Sequence, residues 1–193
     1  MVAAALLILA AVFYRVVTAK VGGSVEWLPN FAPVAAIALC AGMFFSKRIA
    51  LVLPAAILLF SDLILNAHYG VALLSGEMII RYAAFLLIGI FGMQLGSRIT
   101  TTKTLGATVG GSLFFYVTTN SVAWLSMPLY SKTFAGWVQA LTVGTPGYMP
   151  TWMFFRNSLL SDLVFTALFL VCLRFAATKQ EEPGVPGRVG SKA

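Results

Sequence analysis

The stretch LLFSDLIL, Leu58–Leu65, sets a carboxylate inside what otherwise reads as a membrane helix. LLSDLVF, Leu159–Phe165, does the same, with Asp162 standing 100 residues after Asp62. The 193-residue chain around them is 60% hydrophobic and 10% charged, against roughly 25% charged in an ordinary soluble domain. A water-soluble core cannot hide that much apolar surface at this length. The short alternating strands of an outer-membrane barrel do not occur. The sequence therefore predicts an all-α integral membrane protein.

Six apolar runs approach the roughly 17–20 residues that a span needs: Val2–Thr18, Phe31–Phe45, Ile49–Leu65, Ile79–Leu95, Leu105–Leu125 and Met153–Ala176. The second is short, as expected of a helix buried among the others or one that begins earlier in its loop. FAGWVQALTV, Phe134–Val143, is too short to cross and reads as an interfacial or re-entrant helix. Residues 1–177 form one six-helix domain in this reading, and the polar, Pro- and Gly-rich residues 178–193 form a disordered tail. The first run has no basic residues before it, so it is expected to be a retained helix rather than a signal peptide.

The net charge of +7 comes from Lys and Arg in short loops, a pattern of membrane topology rather than of nucleic-acid binding. Lys47, Arg48, Arg98, Lys103, Arg174, Lys179, Arg188 and Lys192 fall on one side of a six-span fold. That excess places both termini in the cytoplasm. All four tryptophans, Trp27, Trp124, Trp137 and Trp152, then fall on the outer side. They serve there either as interfacial anchors or as the rim of a pocket.

Asp62 and Asp162 both lie in the outer half on antiparallel helices. The repeat recurs three spans on, so two three-helix halves would have opposite topology, as in the inverted repeats of many transporters. An ionised carboxylate at that depth costs about 2.5–3.5 kcal/mol on insertion scales unless it is paired, hydrated or protonated. Arg81 and Arg156 are the candidate partners, with Glu77 competing for Arg81 at i−4. Ser112, Tyr116, Thr119, Asn120 and Trp124 share one face of the fifth span, and Ser158, Ser161 and Asp162 one face of the sixth. Such stripes either glue helices together or line a cavity open to the outside. The pairs Ala32/Ala36, Ala38/Gly42 and Gly106/Gly110 have the spacing of close helix contacts. Cys40 and Cys172 sit in apolar runs as small core residues. Histidine occurs once, at His68, and no HExxH, GxSxG or P-loop motif is present. Nothing in the sequence calls for a catalytic group, a metal or a cofactor.

PNFAPVAAIAL (Pro29–Leu39), LPAAILLFSDLIL (Leu53–Leu65), FFYVTTNSVAWL (Phe114–Leu125), LYSKTFAGWVQAL (Leu129–Leu141) and FFRNSLLSDLVFTALF (Phe154–Phe169) follow one another in order. This order resembles an uncharacterised family of small bacterial inner-membrane proteins, itself similar to the substrate-binding S components of energy-coupling-factor (ECF) vitamin transporters. The resemblance implies six helices, cytoplasmic termini and capture of a vitamin or similar small solute in the outer half of the membrane. It also implies a transmembrane coupling subunit with ATPases as partner, although VAAALLILAAVF (Val2–Phe13) lacks the AxxxA pair such docking often uses. On this reading Asp162, Asn120, Tyr116 and Trp124 line the pocket, Asp62 with Arg81 or Arg156 braces or gates it, and Asn30 and Tyr130 complete the set. The alternative is a non-transporting scaffold of the cell envelope.

Overall fold

The computed structural model describes residues 31–70 and 76–180, together with residues 9, 10, 13, 14 and 17. From residue 31 on, the described residues form six helices: α1 (Val34–Phe44), α2 (Lys47–Tyr69), α3 (Gly76–Leu95), α4 (Thr101–Ser126), α5 (Phe134–Leu141) and α6 (Thr151–Gln180). The described residues contain no strand. The first expected span lies outside the described residues, apart from a few positions that are helical. Asn30 and Trp27 also lie outside them, as does the tail from residue 181. α6 runs past the expected boundary at Ala177 to Gln180.

α1 is apolar on every side, which is the pattern of a helix enclosed by others. Nine of its eleven residues are buried, and it packs against α2, α3, α4 and α6. At 1.5 Å per residue it is only about 16 Å long. The shortness of the second run was thus a sign of burial.

Contacts fix the directions of the helices. Asp62 meets Tyr82, and Ala50 lies opposite Gly89, so α2 and α3 are antiparallel. Phe85 stacks on Phe115 and Ser126 bonds Glu77, so α3 and α4 are antiparallel. Thr101 meets Arg174, Thr108 meets Thr166 and Ser112 meets Asp162, so α4 and α6 are antiparallel. α1 runs the same way as α6, with Ala36 beside Asp162 and Phe45 beside Phe169. The basic residues Lys47, Arg48, Arg98, Lys103 and Arg174 therefore collect at one end of the bundle, and the start of α1 faces the other.

α1 and α3 approach backbone to backbone. A Cβ on Gly42 would fall on the carbonyl oxygen of Gly89, and one on Gly92 would fall on that of Leu39. The Ala38/Gly42 pair is a close helix contact, as its spacing predicts. Gly106 and Gly110 are not, because nothing lies within 4 Å of a Cβ at either. Both stand two residues from Thr104 and Thr108, about 200° around the helix at 100° per residue. The inward face of α4 is the threonine side.

The end opposite the basic residues is closed by the segment 127–150. Thr133 caps α5, accepting from the Gly136 N–H at 3.2 Å. Trp124 Nε1 donates to the Ser131 carbonyl at 2.8 Å, and Trp137 Nε1 donates to Ser121 Oγ at 2.9 Å. Lys132 Nζ donates to the carbonyls of Trp124 and Met127, neutralising the negative end of α4. Trp137→Phe keeps one aromatic ring but loses the pyrrole half of the indole with its hydrogen bond to Ser121, so it is expected to cost at least about 1 kcal/mol. Limited proteolysis within 127–150 should accelerate correspondingly.

Two helices are long and apolar enough to cross a membrane, α3 and residues 151–176 of α6. The six spans expected from the sequence are not matched by that criterion among the described residues. Large apolar side chains face outward along both, including Ile79, Leu86, Leu87 and Phe91 on α3 and Leu160, Val164, Leu168 and Val171 on α6.

Candidate functional site

The interior polar groups form a seam between α4 and α6. Thr104, Thr108 and Ser112 recur every four residues; Thr104 and Thr108 each donate to the carbonyl four residues back, and Ser112 Oγ lies 2.9 Å from that of Thr108. This is how a hydroxyl is satisfied within its own helix in apolar surroundings. Across the seam, Thr108 Oγ1 lies 3.0 Å from Thr166 Oγ1, and Ser112 Oγ lies 2.6 Å from Asp162 Oδ2. No described side chain leaves a buried nitrogen or oxygen unpartnered.

Asp162 is 2% exposed and its partner is a helix end rather than a cation. Its Oδ1 accepts the Ala36 N–H at 3.0 Å, and the Ala35 N–H is also bonded to it. The first N–H groups of any helix lack partners within that helix. Pro33, the residue before α1, offers no side-chain cap. Asp162 supplies one from a different helix, 126 residues away. A carboxylate at a helix N-terminus is favoured by the helix dipole as well as by the hydrogen bonds.

A cavity of about 280 Å³ opens beside this junction. Its walls come from the α1 end (Ala32, Val34, Ala35), α3 (Arg81, Phe85), α4 (Ser112, Phe115, Thr119) and α6 (Ser158, Asp162). Ligand sites typically span roughly 300–1,000 Å³, so a small molecule is the scale it suits. A second space of about 150 Å³ shares Phe115, Thr119 and Ser158 with it, and adds Tyr116, Asn120 and Phe155. Phe85 and Phe115 stack at 4.4 Å between ring centres, and Tyr116 and Phe155 at 4.6 Å.

The residues singled out from the sequence divide into groups. Asp162 and Arg81 line the larger cavity, and Tyr116 and Asn120 the smaller. The Tyr116 hydroxyl donates to the Leu141 carbonyl, tying α4 to the end of α5. Asp62 does not line either space. It accepts from Tyr82 Oη at 3.1 Å and lies 3.8 Å from Arg81 Nη1, so it braces Arg81. Arg156 does not pair with either aspartate. Its Nε and Nη2 donate to Asn157 Oδ1 at 3.2 and 3.1 Å, and its guanidinium sits 5.7 Å from the Trp152 ring centre. Trp124 on α4 bonds the closing segment and Tyr130 is part of it, and neither lines a cavity wall. Glu77 accepts from Ser126 Oγ at 2.9 Å. The two aspartates thus have different surroundings, and their local geometry gives the inverted repeat no support.

The DUF6580 family model, described as a family of unknown function, matches residues 1–183. The chain belongs to that family. No curated protein and no solved structure matches it.

Three features of this DUF6580 site escaped the sequence reading. The hydroxyl stripe on α4 begins at Thr104, below Ser112, and its four-residue rhythm was available as a signal. Phe85 and Phe115 offered none, because any phenylalanine in an apolar helix reads as core. The capping of α1 by Asp162 depends on a contact between distant segments, which spacing along the chain cannot show. Among the described residues, no three metal-ligating side chains come together.

Proposed function

We propose that this protein is a membrane-embedded, substrate-binding protein of S-component type that captures a small solute for uptake. The observation that carries the reading is the cavity at the start of α1, walled by four helices and holding both Arg81 and Asp162. Intramembrane ionisable groups facing a cavity are the usual mark of a substrate or ion site. The outward leucines, valines and phenylalanines of α3 and α6 suit a lipid surround. The basic end of the bundle favours a cytoplasmic position by the positive-inside rule, which turns the cavity end outward. Six spans including the N-terminal run, both termini inside, placement in the bacterial inner membrane and a coupling subunit with ATPases belong to this proposal. They rest on the sequence and on the resemblance to S components.

A scaffold role is the second reading. It draws on a groove of about 440 Å³ between α3 and α4, lined by Leu87, Phe91, Gly110, Gly111 and Phe114. Small residues on an outward face let another helix approach closely.

The test is mass spectrometry of small molecules released from purified protein, wild type beside Ser158→Phe. Ser158 lines both cavities, and a phenyl ring there fills them. A stoichiometric compound in the wild type, absent from the folded variant, is the expected result. An empty wild type that co-purifies with a stoichiometric membrane protein would decide for the scaffold.

A further inference from the structure

We propose that the cavity holds a small, flat organic carboxylate, gripped by Arg81 at one end and by hydroxyl oxygens at the other. The proposal rests on the substrate-binding reading and names the chemical class of its ligand.

Among the described side chains that line the cavity, Arg81 is the cation with unused donors. A guanidinium carries five N–H donors in a rigid fork that matches a carboxylate. Its partner among the described residues is Asp62, at 3.8 Å, which is too long for a hydrogen bond. Asp62 itself is buried and held by Tyr82. Asp62 therefore fixes where the guanidinium sits without occupying its donors.

The other charged wall is already engaged. Both oxygens of Asp162 accept bonds, from Ala36 and from Ser112. The Val34 N–H at the start of α1 donates to the Ala32 carbonyl at 2.9 Å. Neither Asp162, which can only accept, nor the start of α1 thus offers an anion a free donor. An incoming anion goes to Arg81.

The neutral hydroxyls decide the other end. Ser158 Oγ donates to the Phe155 carbonyl at 3.3 Å, and Thr119 Oγ1 to the Phe115 carbonyl at 2.9 Å. With their protons spent, both present lone pairs to the cavity. They call for a donor on the ligand, a hydroxyl or an amino group. The stacked pair Phe85 and Phe115 also lines the cavity. An aromatic ring or other planar body fits there, since offset stacking adds to simple burial.

The experiment is equilibrium dialysis of the full chain in lipid nanodiscs against three probes of one shape: 4-hydroxybenzoate, 4-hydroxybenzamide and 4-hydroxybenzylamine. The carboxylate is expected to bind at least tenfold more tightly than the amide or the amine. Arg81→Gln should raise its Kd at least tenfold, and Arg81→Lys should restore part of the loss. The comparison among probes uses wild type, so it stands even where a variant fails to fold. Equal or tighter binding of the amide or amine overturns the carboxylate assignment and leaves a binding protein. Unchanged binding in Arg81→Gln removes Arg81 from the site. Binding of none of the three overturns the assignment too. The substrate-binding reading falls with it only where the purified wild type also carries no small molecule.

Discussion

Gly42→Ala and Gly92→Ala are each expected to prevent recovery of folded protein, or to lower its melting temperature steeply, while Gly89→Ala and Gly110→Ala leave it folded. The added methyl is the same in all four. At Gly42 it meets the carbonyl oxygen of Gly89 and the amide of Met93, and at Gly92 the carbonyl of Leu39. These are backbone atoms in the middle of two helices, so no side chain can turn aside. Overpacking a core costs about 1–3 kcal/mol where side chains can adjust, and this contact lies at or beyond the upper end. At Gly89 the nearest atom to a new Cβ is the Ala38 carbonyl at 3.6 Å, an ordinary contact. At Gly110 there is nothing within 4 Å, and alanine raises helix propensity by roughly 1 kcal/mol. Fluorescence-detected thermal unfolding of the four variants in one detergent makes the comparison. A Gly42→Ala protein as stable as Gly89→Ala would show that α1 and α3 do not touch at these glycines.

Gly42 and Gly110, with their partners at four-residue spacing, mark the limit of sequence reasoning. Small residues four apart announce a face on which helices can come close, and that held for Ala38/Gly42. The rule does not say which face is used, and on α4 the bundle uses the threonines instead of Gly106 and Gly110. The pairing of charges divides similarly. Arg81 does stand beside Asp62, as their shared level in the bundle implied. Arg156 could have been excluded from Asp162 by counting. Six residues turn a helix through about 600°, leaving the two side chains roughly 120° apart and about 9 Å along the axis. The burial of α1 was readable from its length and its uniform apolarity. The roles of Trp124 and Tyr130 were not, because residues 127–133 double back on α4 and only the folded loop shows what each ring meets.

Asp162→Ala is expected to destabilise the fold severely, and Asp162→Asn hardly at all. Alanine strips the Ala35 and Ala36 N–H groups of their acceptor deep in an apolar bundle. Each orphaned donor costs roughly 1–3 kcal/mol, so the two together cost about 4 kcal/mol, less what water in the adjoining cavity restores. Asparagine can rebuild the whole junction. Its Oδ1 accepts from the α1 end, and its Nδ2 donates to the Ser112 hydroxyl, which then gives its proton to the Thr108 carbonyl, already 2.9 Å away. The residual cost is about 1 kcal/mol, the difference between a charged and a neutral hydrogen bond to a helix end. Thermal unfolding of both variants beside wild type measures this. An alanine variant as stable as wild type would show that Asp162 does not cap α1. The folded asparagine variant then answers a second question. Because the capping geometry survives in it, dialysis against 4-hydroxybenzoate reports only the removal of a negative charge from the cavity wall. A carboxylate gripped by Arg81 should bind Asp162→Asn at least as tightly as wild type, since the nearest opposing charge has gone. Weaker binding would mean that the probe's phenol hydroxyl donates to Asp162 rather than to Ser158 and Thr119, and that end of the assignment would have to move.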